Sequence, residues 1–127
     1  MIINASCLGK PREYMQIISD KISIDELKKI ASKAFDFCIK AVVDVEKGIM
    51  SIGGELHADE EAQLLEKGSK QQDLWGINLY PAMEGDSWIE FDSLINIRPI
   101  MGNRTRGVDS QEVREAIITI VNNLVDR

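Results

Sequence analysis

The sequence predicts an α+β domain of two layers, with a mostly antiparallel sheet of about five strands and three helices in the order β-α-β-β-α-β-β-α. Three observations predict it. Segments that alternate apolar and polar residues come in pairs joined by short Gly- and Pro-bearing links, as hairpins do. Stretches with helical spacing stand between the pairs and at the C-terminal end. The alternating segments also leave one aliphatic face, which helices must cover.

Residues 1–14 have no clear period and contain a Gly9-Lys-Pro-Arg12 break, so they are expected to be a flexible extension ahead of a single domain over residues 15–127. Met15-Gln-Ile-Ile18 reads as the first strand. Ser23 with Glu26 three residues on makes a capping box. Behind it Ile24, Leu27, Ile30, Ala31 and Ala34 recur at helical spacing, and this first helix is expected to run to about Phe37. Ile39, Ala41, Val43 and Val45 then alternate with Lys40, Val42, Asp44 and Glu46 before Lys47-Gly48 turns the chain into Ile49-Met-Ser-Ile52. A two-residue turn there sets Val45 opposite Met50, Val43 opposite Ile52 and Asp44 opposite Ser51, with the aliphatic residues on one face.

Gly53-Gly54 ends that strand. A second helix is expected from about Ala58 to Lys67, with Asp59, Glu60 and Glu61 in its first turn, where the helix dipole favours anions. Leu74 to Tyr80 and Trp88 to Arg98 read as a second strand pair, with Asn78 facing Glu90 and Gly76 facing Asp92. Asp109-Ser110 caps the last helix, whose stripe is Val113, Ala116, Ile117, Ile120, Val121 and Leu124.

Composition excludes several functions. With 21 acidic and 15 basic residues the chain of 127 carries a formal charge of −6, so its field opposes duplex nucleic acid, whose binding rests on neutralising phosphates. No apolar run approaches the roughly 18 residues of a membrane span, and the N-terminus lacks the features of a signal peptide. Cys7 and Cys38 form no metal-binding spacing and His57 is the single histidine, so a zinc site of the Cys/His kind lacks ligands and no metal is assigned. Two unpatterned thiols suit a reducing cytoplasm. The sequence names no cofactor.

Seven strings carry a resemblance: Val43-Asp-Val-Glu-Lys-Gly-Ile-Met50, Gly53-Gly-Glu-Leu-His-Ala-Asp-Glu-Glu61, Gly68-Ser-Lys70, Asp73-Leu-Trp-Gly-Ile-Asn-Leu-Tyr-Pro81, Trp88-Ile-Glu-Phe-Asp92, Ile95-Asn-Ile-Arg-Pro99 and Gly102-Asn-Arg-Thr-Arg-Gly107. On these the chain resembles an uncharacterised prokaryotic family, domain of unknown function 5674, from about Met15 to the C-terminus. The resemblance implies no activity.

Three groups of residues can carry chemistry. In an extended segment Glu55, His57 and Asp59 share a side, and an imidazole between carboxylates suits a general base, which makes Glu55 and His57 the candidate catalytic pair. With Asp44 or Glu90 the same group has the donor types of a divalent-ion site. The bland reading is that His57 and Asp59 sit in the lead-in to the helix and cap it. The second group is the loop with Asn103, Arg104 and Arg106, where guanidiniums and loosened backbone donors near a helix N-terminus suit an oxyanion; a solvated loop with surface ion pairs is the plain alternative. The third is the polar sheet face, with Asn78, Glu90, Asp92, Asn96 and Arg98, where Gly76 leaves a dent and Trp88 lies beside the connecting loop. Such a face otherwise meets water.

The expected function is therefore binding, alone or with turnover, of a small anionic ligand such as a phosphate ester or nucleotide where the polar face meets the two glycine-flanked loops. The alternative is a protein–protein interaction module, a second copy of the chain included, with Ile118 and Val125 widening the apolar surface of the last helix.

Overall fold

Gln16–Ile18 (β1), Ile39–Asp44 (β3), Ile49–Ile52 (β4), Leu74–Leu79 (β5) and Ile89–Glu90 (β6) form one antiparallel sheet in the order β1-β4-β3-β5-β6. The computed structural model describes residues 15–34 and 36–127; the expected extension over residues 1–14 lies outside them, as does Cys7. Three helices pack on the sheet: α1 (Ile24–Ser32), α2 (His57–Glu66) and α3 (Gln111–Leu124). The α+β class, the mostly antiparallel sheet and the three helices are as expected. A two-residue parallel pair, β2 (Ile22–Ser23) with β7 (Val125–Asp126), adds a second small sheet that ties the C-terminal end to the start of α1.

The main core follows from period-two alternation. Ile39, Ala41, Val43, Met50, Ile52, Trp75, Ile77 and Leu79 share one face and pack with Leu27 and Ala31 of α1 and Ile117, Val121 and Leu124 of α3. Ser23 caps α1 by accepting a hydrogen bond from the Glu26 N–H at 3.0 Å, as its spacing predicts. Ser110 does the same for α3 through the Val113 N–H. Val125 is buried in β7 and Ile118 packs against the core, so neither widens a surface of α3. Trp88 also belongs to this core at 1% exposure, with the Arg127 guanidinium 4.7 Å from its ring centre, and is not beside a ligand face.

Both hairpins differ from expectation, the first in register and the second in length. The first hairpin turns over residues 45–48, pairing Val43 with Met50 and Asp44 with Ile49. Asp44 dictates this: its Oδ1 accepts from the Glu46 and Lys47 N–H groups, both at 2.9 Å, and its carbonyl accepts from Gly48, whose φ of +69° suits glycine. The shift is by an even number of residues, so the side chains stay on their expected faces.

The second hairpin keeps Asn78 opposite Glu90, but β6 stops there. The rest of the expected strand gives way to a 3-10 turn at Leu94–Asn96, a second follows it at Pro99–Met101, and Ile97 is exposed. The edge of β5 beyond Glu90 is satisfied by side chains. Asn96 accepts from the Gly76 N–H at 2.8 Å and donates to its carbonyl at 3.0 Å, while Arg98 donates to the Leu74 and Gln71 carbonyls at 2.5 Å. Ser93, not Asp92, lies over Gly76, where an added Cβ would fall 2.6 Å from the Ser93 Cβ.

The helices divide between the faces. α2 lies on the reverse side, which is therefore covered where an open polar face was expected. Leu64 packs there with Val42 and Leu74, Ser51 donates to Gln63 at 2.5 Å, and Asp44 accepts from Ser69 at 2.6 Å.

Candidate functional site

The site is built where the N-terminal turn of α2 meets the end of β5. Leu56 is extended (φ −129°) and α2 starts at His57, which seats the imidazole over the backbone of Gly76. The missing side chain at Gly76 makes this approach possible, since a Cβ there would lie 3.2 Å from the His57 Cδ2. The His57 Nε2 lies 2.7 Å from the Ile77 carbonyl oxygen. A carbonyl can only accept, so Nε2 carries the proton and Nδ1 the lone pair. Burial lowers the His57 pKa from its ordinary 6.5; the Ile77 carbonyl opposes that shift and the Lys40 charge adds to it. The positive end of α2 acts in the same direction as burial. The ring is neutral at pH 7.

His57 opens on a cleft of about 520 Å³. Asn78 and Tyr80 line it from the end of β5, Glu90 from β6, Asp92 and Ser93 from the turn after it, and Arg106 from the loop before α3. Cys38 and Lys40 line it as well, as do Leu56 and Leu94, which are 59% and 65% exposed. Asn78 is 7% exposed, and its Nδ2 donates to the Glu90 Oε1 at 2.9 Å and the Asp92 carbonyl at 3.1 Å. Both partners are acceptors, which fixes the amide orientation and leaves Oδ1 buried without a partner. The Tyr80 hydroxyl donates to the same Glu90 oxygen at 3.1 Å. Desolvation, then the Cys38 thiol and the Glu90 carboxylate, push the Tyr80 phenol above its ordinary range. Burial raises the Cys38 thiol as well, so it is protonated at neutral pH and is no activated nucleophile. The Arg106 Nε sits 2.5 Å from the Asp92 Oδ1, with both side chains roughly half exposed.

Five of the sequence-predicted residues thus meet: His57, Asn78, Glu90, Asp92 and Arg106. The others do not. Glu55 precedes α2, is exposed, and lines an adjoining cleft of about 860 Å³ between α1 and the sheet, which His57 does not line. Asn96 and Arg98 hold the β5 edge, and the Arg98 guanidinium also stacks 4.3 Å from the Trp75 ring centre. Asn103 is buried and organises its own loop, donating to the Asn96 and Gly107 carbonyls at 2.8 Å and accepting from the Asp109 N–H at 2.7 Å. Arg104 is exposed, and its N–H donates to Asp109 while that of Gly107 donates to Thr105. These donors, which an oxyanion cradle would need, are occupied within the loop. Asp44 is committed to the first hairpin, and among the described residues no three His, Cys, Asp or Glu side chains gather closely enough to hold a metal ion.

Lys40, Cys38 and Ser93 were missed by sequence reasoning. Period two does place Lys40 on the face of Asn78, its direct cross-strand partner. Nothing local signals Cys38 or Ser93, whose placement depends on how the chain leaves α1 and β6.

No helix among the described residues is long and apolar enough to cross a membrane. Neither a curated protein nor a solved structure matches the chain. One family model does, over residues 16–124, under the description protein of unknown function, DUF5674. That span covers all five converging residues, and the chain belongs to this family.

Proposed function

We propose that this domain binds a small polar molecule in the cleft between the start of α2 and the β5–β6 hairpin. One observation carries the reading: His57, Asn78, Glu90, Asp92 and Arg106, supplied by separate segments of the chain, converge on one concave site. Of the cations expected for an anionic ligand the cleft retains Arg106 without Arg98 or Arg104, and Lys40 joins it, so a nucleotide, which offers more than its phosphate, fits better than a simple phosphate ester. Any proton transfer in the cleft would fall to the neutral His57. The unpatterned cysteines and the free Cys38 thiol support a cytoplasmic location.

A thermal-shift screen of nucleotides, phosphosugars, amines and divalent ions tests the proposal. The expected result is stabilisation by at least one organic class, abolished in Glu90→Gln. A flat response across the panel counts against it. A second reading rests on Phe37, Leu56 and Leu94, which are 59–65% exposed, two of them at the cleft mouth. This would make the same region a protein-interaction surface, and a dimer detected by light scattering, with Leu56 and Leu94 protected from solvent, favours it.

A further inference from the structure

We propose that the ligand of this cleft is a planar, amino-substituted heterocycle, read through its N–H donors; the inference rests on the cleft being a ligand site. Apart from the Lys40 ammonium, the cleft offers free acceptors. The Asn78 Oδ1 lies in a residue 93% removed from solvent and has no donor in hydrogen-bond geometry, though the amide adjoins the His57 ring. Glu90 receives both Asn78 and Tyr80 on Oε1, so among the described residues its Oε2 has no donor. The His57 Nδ1 carries a lone pair because Nε2 is committed to Ile77. A buried acceptor is costly when unpaired, so a ligand that brings the donor gains its own bond and relieves that cost.

Charge points the same way. Arg106 is neutralised by Asp92, which sets Lys40 against Glu90 and Asp36. Such a site does not concentrate simple anions. Apolar side chains line it beside the polar ones: Leu56, Leu94 and Ile95 offer contact to a ring whose donor edge reaches Asn78 and Glu90. A free base and the base of a nucleotide share this chemistry, and a phosphate would then extend towards Lys40.

The test is NMR titration of the intact chain with 2,4-diaminopyrimidine, guanosine 5′-monophosphate and inorganic phosphate, repeated on Glu90→Gln and Asn78→Leu. Glu90 is exposed, so its variant is the one that should fold normally. The expected result is that the diamine moves the Asn78 side-chain amide and the His57 ring, with binding weakened about tenfold or more in Glu90→Gln. Tighter binding of the nucleotide than of the diamine assigns the base to a nucleotide; the reverse assigns a free base. If phosphate moves those resonances and the diamine does not, the ligand class is wrong while the site stands. If the diamine binds equally well to Glu90→Gln, the donor-reading inference is overturned. If no probe moves them, the cleft is not a ligand site and both readings fall.

Discussion

The Asn96 side chain clasps the peptide of Gly76 as a neighbouring strand would, accepting from its N–H at 2.8 Å and donating to its carbonyl at 3.0 Å. The same Nδ2 also donates to the Arg106 carbonyl at 2.9 Å, so one amide joins the sheet edge to the loop that carries a cleft residue. Asn96→Ala leaves two buried backbone groups of Gly76 unpaired, at about 1–3 kcal/mol each before relaxation. Urea unfolding should show a loss of about 3 kcal/mol; a loss under about 0.5 kcal/mol would mean that water replaces the clasp.

Gly76→Ala should be destabilising by about 2 kcal/mol, because the new methyl meets the Ser93 side chain and the His57 ring at once. Ser93→Gly in the same chain should recover part of the loss, with a coupling of about 1 kcal/mol in a double-mutant cycle. Strict additivity would show that the two residues do not share the space.

Arg98→Lys separates structure from binding. The guanidinium donates to two carbonyls and lies on Trp75, geometry that an ammonium cannot reproduce. The variant is expected to lose about 1–2 kcal/mol of stability and to keep the ligand affinity of the parent. Weakened binding in a fully folded Arg98→Lys protein would return this residue to the site.

Much of this was legible in the residues. Ser23 and Glu26 announced α1, Lys47-Gly48 announced a turn, and alternation along β3, β4 and β5 sorted core from reverse face even where the hairpin register moved. Residues 91–98 depart from the expected strand. Alternating Ile95 and Ile97 suggested a strand, but Ser93, Asn96, Pro99 and Asn103 are turn and cap residues, and their side chains compete with the ladder for backbone groups. That competition turned three expected ligand residues, Asn96, Arg98 and Asn103, into scaffold. The cover over the reverse face was hidden for a different reason: α2 has a weakly apolar stripe and buries Glu60 and His57 along with Leu64, so hydropathy gave little sign of which face it would choose.

Glu60 makes a pH-dependent prediction. It is fully buried, accepts from the Gly54 N–H at 2.9 Å through Oε2, and has an unpartnered Oε1. Burial raises its pKa well above the ordinary 4.5. The folded state therefore holds a proton that the unfolded chain releases, and the associated stability is present below pH 4.5 and lost as pH rises through the folded value. Glu60→Gln keeps the acceptor and removes the titration. Its melting temperature should exceed the parent's at pH 8, with the gap closing towards pH 4. A gap independent of pH would contradict a protonated Glu60.

The imidazole of His57, the single histidine of the chain, gives the most direct measurement, since its nitrogen resonances need no sorting. Long-range ¹H–¹⁵N NMR across a pH series should show a proton on Nε2, a bare Nδ1, and a midpoint below 6.5. The matching stability is present above 6.5 and lost as pH falls through the folded value. Adding 2,4-diaminopyrimidine at neutral pH should move Nδ1 and leave the Nε2 proton in place. A proton on Nδ1, or a midpoint above 6.5, would contradict a cleft lined with waiting acceptors.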